Sequence, residues 1–171
     1  MSFRIRLAVF QDIEELDILI NSAFRGDSSR KGWTTEADLL GGIRTDQSQL
    51  KTFIEEPDSD IWIYEEDGRA LGCIHLRYRK DHIYLGMFTV SPSHQGLGIG
   101  KTLMKFSEEK AMELKTPKME ITVLTLRTDL IAWYERHGYF RTGEIRPFPM
   151  DNPDFGLPKV FLELAVLVKE L

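Results

Sequence analysis

Apolar and polar residues alternate over residues 3–10, which predicts a first strand. Ile13, Leu16, Ile20, Ala23 and Phe24 then fall at helical spacing. They predict an amphipathic helix over 13–24, with Asp12 as its N-cap and Glu15 as the capping-box partner. The polar, glycine-bearing stretch 25–33 reads as loop. Thr35 with Asp38 marks another helix start, interrupted at Gly41-Gly42, and a short helix is expected around 47–55. Runs at 61–66 and 69–78 read as strands around Asp67-Gly68, a two-residue hairpin signal because both central positions need positive φ. A turn at 79–81 leads into a third strand, 82–90, and Pro92 breaks the ladder.

The period then changes. Ile99, Leu103, Phe106 and Leu114 share one face of a helix expected over 98–115, and Pro117 stops it. A strand follows at 119–126. Asp129 caps a short helix to His137, and Gly138 sits where a left-handed C-cap belongs. Strands are expected at 139–145 and 159–168, the second alternating Val160, Leu162, Leu164, Val166 and Val168. Between them, Pro147, Pro149, Pro153 and Pro158 cluster with Asp151, Asp154 and Gly156 in a long structured loop, of a kind that is often functional. The strand–helix–strand unit at 82–126 should be a right-handed parallel crossover, while the strands before it read antiparallel. The expected fold class is α/β (α+β): a mixed, mostly antiparallel sheet of about seven strands with helices on both faces.

A length of 171 residues fits one domain, 1–171. The net charge of −5 speaks against a general phosphate-backbone binder, so no nucleic-acid partner is expected. Cys73 is the only cysteine, which excludes an intrachain disulfide, and the four histidines are too scattered for a zinc site; no metal is expected. Residues 1–10 carry Arg4 and Arg6 without a long apolar run, unlike a signal peptide, and no run of 18 apolar residues exists to span a membrane. A reducing cytoplasm is the expected compartment. The apolar last strand could complete the chain's own sheet or join a homodimer.

The most informative stretch is Gln95-Gly96-Leu97-Gly98-Ile99-Gly100, which follows a strand and opens a helix. Spaced glycines let backbone approach a ligand closely. The free N–H groups of the first helical turn make an anion site, for which a diphosphate is the natural occupant. Gly100-Lys101-Thr102 matches the end of a nucleoside-triphosphate P-loop, but that motif needs glycine at position 95, which is Gln95. A dinucleotide G-x-G-x-x-G fails because position 101 is Lys101. Lys101 and Lys105 lie one helical turn apart and read as a solvated face or as phosphate partners.

With Val90-Ser91-Pro92 ahead of Gln95, Gly98 and Gly100, the segment resembles the first signature of the GNAT acetyltransferase superfamily. Trp133-Tyr134-Glu135-Arg136-His137-Gly138-Tyr139 resembles its second. The resemblance implies acetyl-CoA as donor and an amine as acceptor, by direct acyl transfer. It implies that the cofactor lies against Phe88, Thr89, Val90, Gln95, Gly96, Leu97, Gly98, Ile99, Gly100 and Lys101, with the strands at 82–90 and 119–126 splayed apart. It implies that the backbone N–H of Val90 holds the oxyanion and that Tyr134 acts as general acid. A phenol is nearly fully protonated at neutral pH and can protonate a thiolate. The base is not determined: Glu36, Tyr84, His82 and Asp151 are the candidates. His75 reads as a satisfied core or cleft residue and His94 as a loop-shaping one. Arg127 stands where many members carry Asn, and so either meets phosphate or faces solvent. The acceptor site would be built from about 24–46 and 146–158, with Trp33, Glu36, Asp38, Phe148, Asp151, Asp154 and Phe155; carboxylates with aromatics suit a cationic amine. An acyl-CoA-binding sensor without turnover is the competing class.

Overall fold

Asp67 and Gly68 adopt φ of 50° and 76°, the paired left-handed geometry of a two-residue hairpin. The turn joins β3 (Ser59–Glu66) to β4 (Arg69–Tyr78), and β5 (Ile83–Val90) follows antiparallel. This hairpin stack forms the first half of the protein's sheet in the computed structural model, which describes residues 2–171. Ahead of it lie β1 (Phe3–Leu7), α1 (Ile13–Phe24), the two-residue β2 (Leu40–Gly41) and α2 (Gln47–Glu55). After it come α3 (Ile99–Glu113), β6 (Lys118–Leu124), α4 (Thr128–Arg136), β7 (Phe140–Pro147), the two-residue β8 (Leu157–Pro158) and β9 (Glu163–Glu170). The main sheet has seven strands in the order β1-β3-β4-β5-β6-β9-β7, and only β5–β6 is parallel. The expected crossover at 82–126 is therefore present. β9 is inserted between β6 and β7, so the last strand completes the chain's own sheet.

Period-two alternation feeds two cores, one on each sheet face. Ile61 and Ile63 of β3 pack with Leu16, Ile20 and Leu50 of α1 and α2. Tyr64 of the same strand packs on the other face with Leu103 and Met104 of α3 and Ile131 of α4. His75 is buried, and its ring nitrogen shares a 2.6 Å hydrogen bond with Ser59 Oγ. Burial first, and then nearby arginines, push its pKa down to about 3. It is a neutral, satisfied core residue.

Several local expectations are corrected. Asp12 does not cap α1 through its side chain. Its carboxylate instead accepts from Val9 N–H (2.8 Å) and takes both terminal nitrogens of Arg6 (2.8 Å each), and the Arg6 guanidinium holds it below the usual carboxylate range. Glu15 accepts from Ala70 N–H at 2.9 Å and ties α1 to β4. Asp129 lies inside the first turn of α4 rather than at its cap, paired with Arg127. Thr35–Asp38 starts no helix: after one turn, Leu40–Gly41 pairs with Leu157–Pro158. β8 ends just before the expected 159–168 strand, residues 159–162 are irregular, and β9 runs only from Glu163 to Glu170. Leu114 lies past the end of α3 and is exposed, while Met104, Ser107 and Ala111 fill the buried face instead. Gly138 has φ 91°, and the bonds Gly138 N–H to Glu135 C=O and Tyr139 N–H to Tyr134 C=O close α4 as expected.

Candidate active site

β5 and β6 pair only at Ile83–Met119 and Tyr84–Glu120 and then part. From Leu85 onward the β6-facing edge of β5 has no strand neighbour. A bulge sharpens this. Met87 takes φ 42°, and the β4–β5 register shifts between Cys73 and His75. One extra residue flips the pleat. Ile83 and Leu85 face the α3 core, Met87 faces the α1 core, and Phe88 and Val90 return to the α3 side. Ser91 N–H bonds to Leu71 C=O, so the alternation turns the Val90 N–H and C=O away from β4, into the gap. Gln95 Nε2 donates to that carbonyl at 3.2 Å. The gap is bridged near its closed end by the Tyr84 hydroxyl on Thr122 Oγ1, 2.6 Å apart.

The glycine loop runs directly on from this edge. Gly96 and Gly98 have φ of 82° and 86°, and a Cβ at either would meet nothing within 4 Å. They are glycine because the backbone is left-handed there. Gly98 is the N-cap of α3, and the first intrahelical bond is Thr102 N–H to Gly98 C=O. The N–H groups of the first turn have no intrahelical acceptor. A diphosphate fits this end of the helix on charge and on space.

A single cavity of about 480 Å³ joins these parts. Phe88, Val90, Gln95, Gly96, Gly98, Ile99, Gly100 and Lys101 line it, as do Tyr134, Trp133 and Glu36. Thr89 does not: it is fully buried, and its hydroxyl donates to Met87 C=O at 2.9 Å. Leu97 also lies outside the lining and is exposed. Lys105 is an exposed residue near Glu109, while Lys101 reaches the rim.

Tyr134 and Trp133 both face the cavity. Tyr134 is the deeper, at 4% exposure, with its ring 5.5 Å from Tyr139 and 6.4 Å from Phe88. Burial pushes its phenol well above the usual tyrosine range, and the neighbouring Tyr139 and Tyr84 add to the rise. The group therefore carries its proton throughout the ordinary pH range. The Trp133 ring lies tilted against those of Trp33 (6.1 Å) and His137 (4.2 Å).

At the far end the lining is Phe24, Arg25, Glu36, Arg44, Phe148 and Phe155. Arg25 is 5% exposed and pairs with Glu36, and its other terminal nitrogen donates to Phe155 C=O at 3.2 Å. Trp33, Glu36, Phe148 and Phe155 thus stand where the sequence placed an acceptor. Asp38, Asp151 and Asp154 do not line the cavity: Asp38 is an exposed partner of Arg30, and the other two are exposed in the proline-rich loop. The expected run of carboxylates is reduced to Glu36, and Arg25 and Arg44 outnumber it. The sequence reading missed both arginines, because nothing in a loop's composition says which side chains turn inward. Of the other base candidates, Tyr84 lines the cavity and is bonded to Thr122; His82 lies outside it, against Asp81 at 2.8 Å. His94 bonds to Ser91 and Ser93 in the turn before the glycine loop, as expected.

Arg127 does not face solvent. It is 7% exposed and donates to the carbonyls of Trp33 (2.9 Å), Thr34 (3.2 Å) and Thr35 (3.0 Å), with Asp129 at 3.1 Å. Gln95 grips the same loop: its Oε1 accepts from Trp33 N–H and its Nε2 donates to Thr34 Oγ1, both at 2.8 Å. The 33–35 strap is thereby tied to α4 and to the glycine loop at once.

A family model described as "Acetyltransferase (GNAT) family" matches residues 13–139. The chain is 35% identical over 155 residues to the S-(2-succino)cysteine N-acetyltransferase of Bacillus subtilis (strain 168), covering 84% of this chain and 88% of that protein. It is 26% identical over 145 residues to the S-alkylcysteine N-acetyltransferase of the same organism, covering 78% of this chain and 76% of the relative. Its fold is similar to that of the ribosomal-protein-S18-alanine N-acetyltransferase from Escherichia coli, with a TM-score of 0.73 at 12% identity over 99% of this chain and 94% of the other. No helix among the described residues is long and apolar enough to cross a membrane, and no group of metal-binding side chains was found among them. The matched family model and the curated relatives place the chain in the GNAT acetyltransferase family.

Proposed function

We propose that this protein transfers an acetyl group from acetyl-CoA to the primary amine of a small, amino-acid-like acceptor of the S-substituted cysteine type, by direct attack. The observation that carries the proposal is the continuity of one cavity. It runs from the glycine loop, past the open edge of β5 and Tyr134, to the pocket beneath the 33–35 strap. A donor and an acceptor can meet there without an enzyme-bound acyl group. The named substrates of the two Bacillus subtilis relatives favour a substituted cysteine.

When bound, acetyl-CoA supplies an activated thioester carbonyl. The amides of Gln95 to Lys101 would hold its diphosphate. The main chain at Phe88 and Val90, free of β6, would pair with its pantetheine arm as an added strand. The Val90 N–H, turned into the gap, would hold the oxyanion; this role belongs to backbone, so side-chain substitution under-reports it. Tyr134, which keeps its proton, would give it to the leaving thiolate. Glu36 is our assignment for the base; because Arg25 occupies one of its oxygens, it would act through water.

The test is release of free thiol from acetyl-CoA with S-methylcysteine as acceptor. The proposal expects turnover and N-acetylated product. Binding of acetyl-CoA by calorimetry with no turnover on any amine of a mixed panel would instead leave a sensor.

A further inference from the structure

The charges at the acceptor end of the cavity do not cancel. Arg25 and Glu36 pair with each other. Arg44 lines the same cavity, and among the described residues its guanidinium has no hydrogen bond and no acidic partner within salt-bridge distance. Its contact is the Phe24 ring, with Cζ 6.0 Å from the centroid. Arg44 is half-buried; burial is the largest influence on its pKa and pushes it down, while the charge of Glu36 acts the other way. Charges drawn into a cavity are normally paired.

The position is nevertheless built. Asn21 of α1 accepts from Arg44 N–H at 2.7 Å and from Thr45 N–H at 3.4 Å, and its Nδ2 donates to Thr45 C=O at 3.0 Å. The backbone beneath Arg44 is thus pinned to a helix. Arg44 and Tyr84 of β5 line the same cavity, at whose edge β5 opens. A planar guanidinium with free donors matches a carboxylate in two-point geometry.

We propose that Arg44 binds the carboxylate of the acceptor, so that the protein selects amines bearing an acid group, amino acids foremost, over simple amines. The inference rests on the acetyl-transfer reading and deepens it. It also adds an acid group to the cationic amine expected from sequence, because the unpaired charge in the pocket is positive.

The test compares S-methylcysteine, its carboxamide and 2-(methylthio)ethylamine as acceptors for the full chain and for Arg44→Gln and Arg44→Lys. In the parent protein kcat/KM should favour the acid over both analogues that lack the carboxylate by at least about tenfold, the scale on which a polar site rejects a ligand lacking its partner. Arg44→Gln should bring that preference to within about twofold, mainly through KM, because the lost contact is formed in the ground state as well as the transition state. Arg44→Lys should keep part of the preference. A parent protein that acetylates all three acceptors equally, or an Arg44→Gln variant that keeps the full preference, overturns the role of Arg44 while acetyl transfer stands. A parent protein that acetylates none of the three overturns the acceptor reading and the role of Arg44 with it. If thermal melting shows Arg44→Gln unfolded, Arg44→Lys decides: an unchanged KM for the acid sinks the inference, and a raised one supports it.

Discussion

Tyr134→Phe should lower kcat at least tenfold, toward the roughly 10²–10⁴ that a positioned general acid contributes, and leave the Kd for acetyl-CoA almost unchanged. The ring stays and only the hydroxyl goes, so the packing against Phe88, Trp133 and Tyr139 is preserved and the melting temperature should hardly move. The buried phenol is pushed well above its ordinary range, so it remains an acid at every pH where the protein is handled. The thiol it would protonate has a pKa of about 8.5, judged from cysteine, so full transfer from the phenol is uphill and the proton would move only as the carbon–sulfur bond breaks and charge builds on sulfur. It follows that kcat should not decline on the alkaline side through loss of the Tyr134 proton up to about pH 10. An unchanged kcat in the variant, with chemistry shown to be rate-limiting, would remove Tyr134 from the proposed mechanism.

Arg127→Ala should be the most damaging change at the acceptor end. One side chain satisfies three consecutive carbonyls and an acid. Its removal leaves those acceptors in a partly closed site with no donor, at a cost of about 2–4 kcal/mol in unfolding free energy. The strap that carries Trp33 and leads to Glu36 would loosen, so acceptor KM should rise about tenfold or more. The glycine loop keeps its own geometry, so the Kd for acetyl-CoA should stay within about twofold. Lysine at this position keeps the charge but cannot span three carbonyls, and should recover stability only in part. Urea unfolding and acceptor kinetics check both effects; a variant with parental stability and parental KM contradicts the clamp.

The central β5–α3–β6 unit was legible because its signals are local and redundant. Pro92 and Pro117 bound the turn and the helix, and Gly96 and Gly98 sit where positive φ is needed. The hairpin at Asp67-Gly68 was legible for the same reason. What escaped depends on distant partners. Met87 bulges without glycine, and its consequence, the turn of Phe88 and Val90 toward α3, shows only against β4. Asp12 looks like a cap in sequence, yet Arg6 from the preceding strand takes its carboxylate. Leu40–Gly41 is diverted from a helix by a strand more than a hundred residues later in the chain. At the acceptor end, composition counted acids near Trp33 but could not tell that Asp38, Asp151 and Asp154 face outward while Arg25 and Arg44 face in.

The idea beneath every assigned role is that bare main chain, at the open edge of β5 and in the turn that starts α3, holds the acyl carrier. Amide chemical-shift changes in a titration of the labelled protein with coenzyme A test it residue by residue. The largest changes should fall at Phe88, Val90 and Gly96 to Lys101. Saturating coenzyme A that leaves those amides unmoved, or moves only amides elsewhere, would contradict the account.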